Sequence, residues 1–220
     1  MDGLTRTVKS GLVELIREEI VRGDYKPAER LLLDDIAKKY EVSTMPVREA
    51  LRDLETEGLV ELFPHRGAVV TELSPDELED IYDIRALLEE KATLAAVPNL
   101  TEETLKKMAS LIDEMDENLD DVSKEVALNH EFHLSLYEAS GRKHLCELNH
   151  LLRFKAQHYL RAFIQELGGM PQAQIEHKEI LAACKKGDAE QAASLMYKHV
   201  AKVGAAIVKY LQDQEKESED

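Results

Sequence analysis

The stretch Ser43-Thr44-Met45-Pro46-Val47-Arg48-Glu49-Ala50-Leu51-Arg52-Asp53-Leu54 decides how the chain is read. Val47, Ala50, Leu51 and Leu54 recur at helical spacing, so one face of a helix here must be buried. That turns Thr44, Met45, Arg48 and Arg52 outward, and Ser43 stands where an N-cap belongs. A helix of this polarity suits a DNA groove. Arginine near its N-terminus can meet guanine O6 and N7 with two hydrogen bonds, which makes Arg48 the first candidate for base contact. Arg52, one turn later, is placed to meet phosphate.

Upstream, Leu33 to Tyr40 puts Ile36, Ala37 and Tyr40 on one face of a short helix that breaks at Glu41-Val42. Before it, Leu4, Val8, Leu12, Leu15 and Ile16 form a helical stripe ending at Gly23-Asp24. Downstream, Gly58 to Thr71 reads as two short β segments around Pro64-His65-Arg66-Gly67, a wing whose tip offers His65, Arg66 and Gly67 to a duplex. A helix pair followed by a wing predicts a winged helix-turn-helix domain over residues 1–73, with the linker at about Glu72 to Ser74.

From Ser74 onward the pattern changes to long amphipathic helices. Ser74-Pro75-Asp76-Glu77 carries an N-cap serine, proline at the first helical position and acids in the first turn. Helical patterns follow at 75–97, 101–118, 122–140, 142–167, 171–186 and 188–214, separated by Pro98-Asn99, Gly141, Gly168-Gly169-Met170-Pro171 and Gly187-Asp188. The expectation is a mainly α protein whose second domain, 74–214, is an all-α bundle of about six helices. Residues 215–220 form a charged tail, with fraying expected from Gln212.

Composition agrees with helix over sheet: four Phe, seven Tyr and no Trp among 220 residues, 44% of them hydrophobic. No apolar run reaches the roughly 20 residues of a membrane span and no signal peptide opens the chain, so a cytoplasmic protein without membrane partners is expected. Cys146 and Cys184 form no CxxC pair and read as core residues. The net charge of −16 opposes non-specific attraction to nucleic acid. Residues 1–72 hold only −4 of it, eleven basic against fifteen acidic residues, so the deficit is mildest where DNA would bind.

Three histidines in the bundle share a feature. His133 lies on a face with Leu136, Tyr137 and Ser140, His177 with Ile180, Leu181 and Cys184, and His199 with Leu195, Met196 and Val203, so each imidazole points inward. One buried histidine is usually a hydrogen-bonded core residue. Three on three helices, with Asn129 one turn before His133, are a donor set for a divalent transition metal: Zn, Ni, Fe or Mn.

The segment Met45-Pro-Val-Arg-Glu-Ala-Leu-Arg-Asp-Leu-Glu-Thr-Glu-Gly-Leu-Val60, with His65-Arg66-Gly67 after it, resembles the GntR family of bacterial regulators over most of residues 8–71. The bundle resembles the FCD-type effector domain of the FadR subfamily through Tyr82-Asp-Ile-Arg-Ala-Leu-Leu-Glu89, Asn129-His-Glu-Phe-His133, Tyr137-Glu-Ala-Ser-Gly141, Glu176-His177 and His199. The resemblance implies a divalent metal held by Asn129, His133, His177 and His199, with a small organic acid completing its coordination. It implies a homodimer on a palindromic double-stranded operator, acting as a repressor. Arg85 matches an arginine of the family's first bundle helix and faces either an effector carboxylate or Glu89 one turn on.

Four positions depart from the family pattern: Thr44 and Met45 where Arg or Lys and then Thr are usual, Asp34 where Arg is frequent, and Asn129 where Asp is commoner. The first three imply an operator unlike those of relatives; the last implies weaker hold on hard cations. His130 competes with His133 as a ligand but lies toward the other side of its helix. A metalloenzyme is disfavoured, because no nucleophile stands in motif with the histidines and no Glu-x-x-His pair repeats. An acidic protein-binding module accounts for the charge but gives no purpose to the wing or the inward histidines.

Overall fold

The computed structural model describes residues 8–63, 67–118, 120–167 and 171–219. The chain forms two compact units, Met1–Leu73 and Ser74–Asp220.

In the first unit, α1 (Val8–Arg22), β1 (Arg30–Leu31), α2 (Leu33–Lys39) and α3 (Thr44–Thr56) precede the hairpin strands β2 (Val60–Phe63) and β3 (Gly67–Val70). The three strands make an antiparallel sheet in the order β1-β3-β2, with Val60 opposite Val70 and Phe63 opposite Gly67. Strand β1 is too short to show period-2 alternation and was not expected. It explains Gly67: this residue has φ +84, and a Cβ there would lie 2.2 Å from the Leu31 carbonyl oxygen.

The core-facing stripe of α1 is Leu12, Val13, Ile16 and Ile20. Val8 and Leu15, assigned inward from the sequence, are 59% and 44% exposed; Leu4 lies outside the described residues. The i, i+4 row 12-16-20 is what the core covers. Val8 falls one turn beyond its edge, and Leu15 is rotated off it. Between α2 and α3 the chain turns at Glu41, φ +54, with the Val42 N–H donating to the Ala37 carbonyl at 3.0 Å. Ser43 occupies the N-cap of α3, but its hydroxyl makes no capping bond. The third helical residue, whose N–H such a serine usually receives, is Pro46, which has none to give.

In the second unit, α4 (Pro75–Ala96) opens with a full capping box: Ser74 Oγ accepts from the Glu77 N–H and the Glu77 carboxylate accepts from the Ser74 N–H. A 3-10 turn, Val97–Asn99, leads to α5 (Glu102–Glu117), α6 (Val122–Ala139), α7 (Lys143–Leu167), α8 (Pro171–Lys186) and α9 (Ala189–Glu219). Thr101 and Asp121 cap α5 and α6. Phe132, Leu136, Tyr137, Met108, Met115 and Ile180 are fully buried at the centre. Helix α4 lies directly on α9, close enough that a Cβ at Gly204 would stand 2.5 Å from Tyr82 Cβ. Instead of fraying from Gln212, α9 runs to Glu219; Gln, Glu and Lys are good helix formers, and Lys216 pairs with Asp213 at 3.7 Å. Cys184 is buried, and Cys146 donates its S–H to the Tyr137 carbonyl at 2.8 Å. Among the described residues no helix is long and apolar enough to cross a membrane.

Candidate functional site

Two sets of residues were singled out by the sequence, one in each unit. On α3, Val47, Ala50, Leu51 and Leu54 have no exposed surface, while Thr44, Met45, Arg48 and Arg52 are exposed. The acids of this helix are mostly engaged within the unit. Arg17 of α1 grips Glu57 with two hydrogen bonds, 3.0 and 2.6 Å; Lys9 pairs with Asp53 at 2.7 Å; Glu55 accepts the Leu62 N–H. Arg48 and Arg52 enter no ion pair among the described residues, so an acidic unit still presents free guanidiniums on this face. Gly67 is buried, and its approach to Leu31 is what requires glycine there. His65 and Arg66 lie outside the described residues.

In the second unit His133 of α6, His177 of α8 and His199 of α9 come together, each with at most 4% of its surface exposed. Ring centroids are 5.6 Å apart for His133 and His177, 5.5 Å for His133 and His199, and 4.6 Å for His177 and His199. One ligand-capable atom from each lies within 4.8 Å of the others.

The Nδ1 atoms are all committed elsewhere. His133 Nδ1 meets Glu89 Oε2 at 2.5 Å, His199 Nδ1 meets Glu176 Oε2 at 2.9 Å, and His177 Nδ1 meets Gln174 Oε1 at 3.3 Å. Nδ1–H donating to a protein oxygen leaves the Nε2 lone pair for something else. His177 Nε2 is buried and has no hydrogen-bond partner. Burial favours the neutral ring at two of the three, lowering the pKa of His133 to about 3 and that of His177 well below its usual value.

The anchors are charged. Burial opposes ionisation of Glu89, but His133, Arg85 and Arg153 hold its carboxyl well below the ordinary range. Arg85 Nη2 donates to Glu89 at 2.8 Å, and Arg153 Nη1 stands 4.0 Å from the same oxygen. Glu176 is lowered to about 2, chiefly by its hydrogen bond from His199 and further by Lys202.

Asn129 lines the same cavity as His133 and His199, and its Oδ1 accepts from Arg153 Nη2 at 3.1 Å. Tyr82, Arg85 and Arg153 complete the polar wall of this cavity. Of the two sequence readings of Arg85, the pair with Glu89 is the one seen; the side chain also lines the cavity, over the Tyr82 ring and with its Nε unpartnered. His130 stays apart from the three histidines. Its Nδ1 accepts from Arg153 Nε at 3.1 Å and its ring lies between His150 and Phe154.

Sequence reasoning missed Arg153 and the anchoring role of Glu89 and Gln174. A signal for Arg153 existed: Asn149, Arg153, Ala156 and Leu160 share the buried face of α7, and a charged residue in such a row is rarely buried without a partner. Spacing along α4 announces only Arg85 as a partner of Glu89; the others, His133 and Arg153, come from α6 and α7.

Residues 9–70 match the family described as bacterial regulatory proteins, gntR family, and residues 80–202 match the FCD domain. The chain belongs to the gntR family. It is 30% identical over 184 residues to the HTH-type transcriptional regulator McbR of Escherichia coli (strain K12), covering 80% of this chain and 81% of that one. With the uncharacterized HTH-type transcriptional regulator YdhC of Bacillus subtilis (strain 168) it shares 29% over 194 residues, 84% of each chain. The HTH-type transcriptional repressor GlaR of E. coli (strain K12) is 27% identical over 84% of this chain and 89% of its own. The solved structure of E. coli McbR/YncC shares the fold, with a TM-score of 0.82 over 95% of this chain and 99% of that chain at 24% identity. This gntR-family protein is a DNA-binding transcriptional regulator.

Proposed function

We propose that this gntR-family regulator is a repressor whose hold on DNA is released by a small organic acid at a divalent metal centre in the FCD domain. The observation that carries the reading is the convergence of three buried imidazoles with every Nδ1 tied back to a protein oxygen. Such tethering fixes tautomer and ring direction around a metal. The buried, unpartnered His177 Nε2 fits a ligand atom and has no other use in the fold. His133, His177 and His199 would hold the ion, with Asn129 as the oxygen donor; bound there, a divalent Zn, Ni, Fe or Mn supplies a Lewis acid for carboxylate oxygens.

Charge favours an anionic effector. None of the proposed ligands is a carboxylate, and the cavity wall carries two guanidiniums, Arg85 and Arg153, with no carboxylate among its lining residues. An acid's negative charge offsets what the ion and the arginines bring. The relative GlaR is a transcriptional repressor. The operator would be palindromic double-stranded DNA read by α3 of two chains, with half-sites about one helical turn apart. An exposed apolar strip on α4, Ile84, Leu87 and Leu94, supports self-association through the FCD domain. Coupling of about 1–3 kcal/mol between effector and DNA would relieve repression roughly 5–150-fold.

Protein purified without chelators is expected to carry about one transition-metal ion per chain, and His177→Ala to carry none while staying folded by circular dichroism. A panel of small mono- and dicarboxylates should release selected operator DNA from metal-loaded protein and fail after chelation. Metal-free protein as isolated, or release indifferent to chelation, overturns the reading.

A further inference from the structure

On α3 every large apolar side chain but one is buried. The exception is Met45, 65% exposed, the most exposed large hydrophobic side chain among the described residues. It sits in the first turn, one turn before Arg48 and beside Thr44, on the strip that also carries Arg52. A thioether is a weak hydrogen-bond acceptor and no donor. Whatever Met45 recognises must therefore be apolar.

We propose that Met45 is a specificity-determining residue that packs on the C5-methyl group of a thymine in each operator half-site. The inference rests on the reading that α3 lies in the major groove. There the N-terminal residues of a recognition helix meet base edges, and the C5-methyl of thymine is the apolar feature those edges offer. Met45 and Arg48 are three residues apart, about 4.5 Å along the helix axis, close to the roughly 3.4 Å step between base pairs. The methyl-bearing base therefore lies next to, or one pair beyond, the base that Arg48 contacts.

The test uses the full chain and an operator obtained by unbiased selection from unmodified DNA. Thymines are replaced one at a time by deoxyuridine, which removes the methyl and leaves every hydrogen-bonding group in place. Burial of a methyl corresponds to about fourfold in affinity per half-site. Wild type is expected to lose about that much at one symmetry-related thymine, and about fifteenfold when both copies are replaced. Met45→Ala should bind the natural operator that much more weakly and then be indifferent to deoxyuridine at that position. Met45→Leu should keep the sensitivity. Met45 is exposed, so neither variant disturbs a core. Equal deoxyuridine sensitivity in wild type and Met45→Ala, or no methyl-sensitive thymine, overturns the proposal with the regulator intact. Tighter binding by wild type alone when a half-site cytosine becomes 5-methylcytosine, without any thymine effect, overturns the choice of base. If selection enriches no sequence at all, the groove reading of α3 fails instead.

Discussion

The two units handle polar groups in opposite ways. The first leaves Thr44, Met45, Arg48 and Arg52 in solvent and sets two ion pairs beside them, where Arg17 and Lys9 occupy Glu57 and Asp53. The second buries its polar residues: Arg85, Glu89, Asn129, His133, Arg153, His177 and His199 are all nearly inaccessible, and most of them hold one another. An exposed reading face can change without disturbing the fold beneath it. A buried network cannot, because each group is the solvation of its neighbour. Substitutions should therefore separate function from stability in the first unit and join them in the second.

The largest effect is expected at Glu89. Glu89→Gln leaves the guanidinium of Arg85 buried without its counter-charge and removes the negative charge nearest Arg153. Breaking one side of a buried charge pair costs about 3–5 kcal/mol. For a unit of this size that lowers the midpoint of its thermal transition by roughly 6–20 °C. Calorimetry of the full chain checks this; a shift within a degree or two would mean that Glu89 is a local contact and that the network does not act as one body.

Arg48→Ala supplies the opposite case. Operator affinity should fall by about 1–3 kcal/mol if the side chain reads a base. Stability should change by less than about 0.5 kcal/mol, because the residue is exposed and outside the ion pairs of the unit. Gel-shift titration and thermal melts on one preparation give both numbers. Loss of stability along with affinity would break the distinction between the units.

The same contrast explains what could be read from the chain alone. The exposed face of α3 follows from spacing within twelve residues: Val47, Ala50, Leu51 and Leu54 face inward, so Arg48 and Arg52 must face outward. The inward direction of His133, His177 and His199 follows equally from local periodicity. Their meeting does not, nor does the tie from Glu89 to His133 across 44 positions or from Glu176 to His199 across 23. Those contacts belong to the packing of helices against each other. The bundle pattern allows many packings, and the likeness of motifs to a family selected among them. Errors in the first unit were also failures of local rules at their limits. Leu15 is apolar and exposed, β1 is two residues long, and Ser43 stands at a cap position whose usual donor is Pro46, three residues later.

That last position allows the finest test. With no N–H at Pro46, the Ser43 hydroxyl contributes nothing as a cap, so Ser43→Ala should leave stability within about 0.5 kcal/mol of wild type. In a Pro46→Ala background the missing donor is restored, and Ser43→Ala should then cost about 1 kcal/mol, the usual worth of an N-cap. Pro46→Ala by itself should be nearly silent, since the gained cap is offset by the greater freedom that alanine gives the unfolded chain, about 0.4–1 kcal/mol. The coupling energy from this double-mutant cycle isolates the cap from every other effect of the two residues. If α3 lies in a DNA groove as proposed, a hydroxyl released from capping at its head is free to meet a backbone phosphate. Ser43→Ala should thus weaken operator binding in wild type without moving the melt, the behaviour expected of Arg48 at a smaller amplitude. If instead Ser43→Ala destabilises the wild-type chain as much as the Pro46→Ala chain, the serine is a cap after all, and the exposed face of α3 is less independent of its fold than its burial pattern indicates.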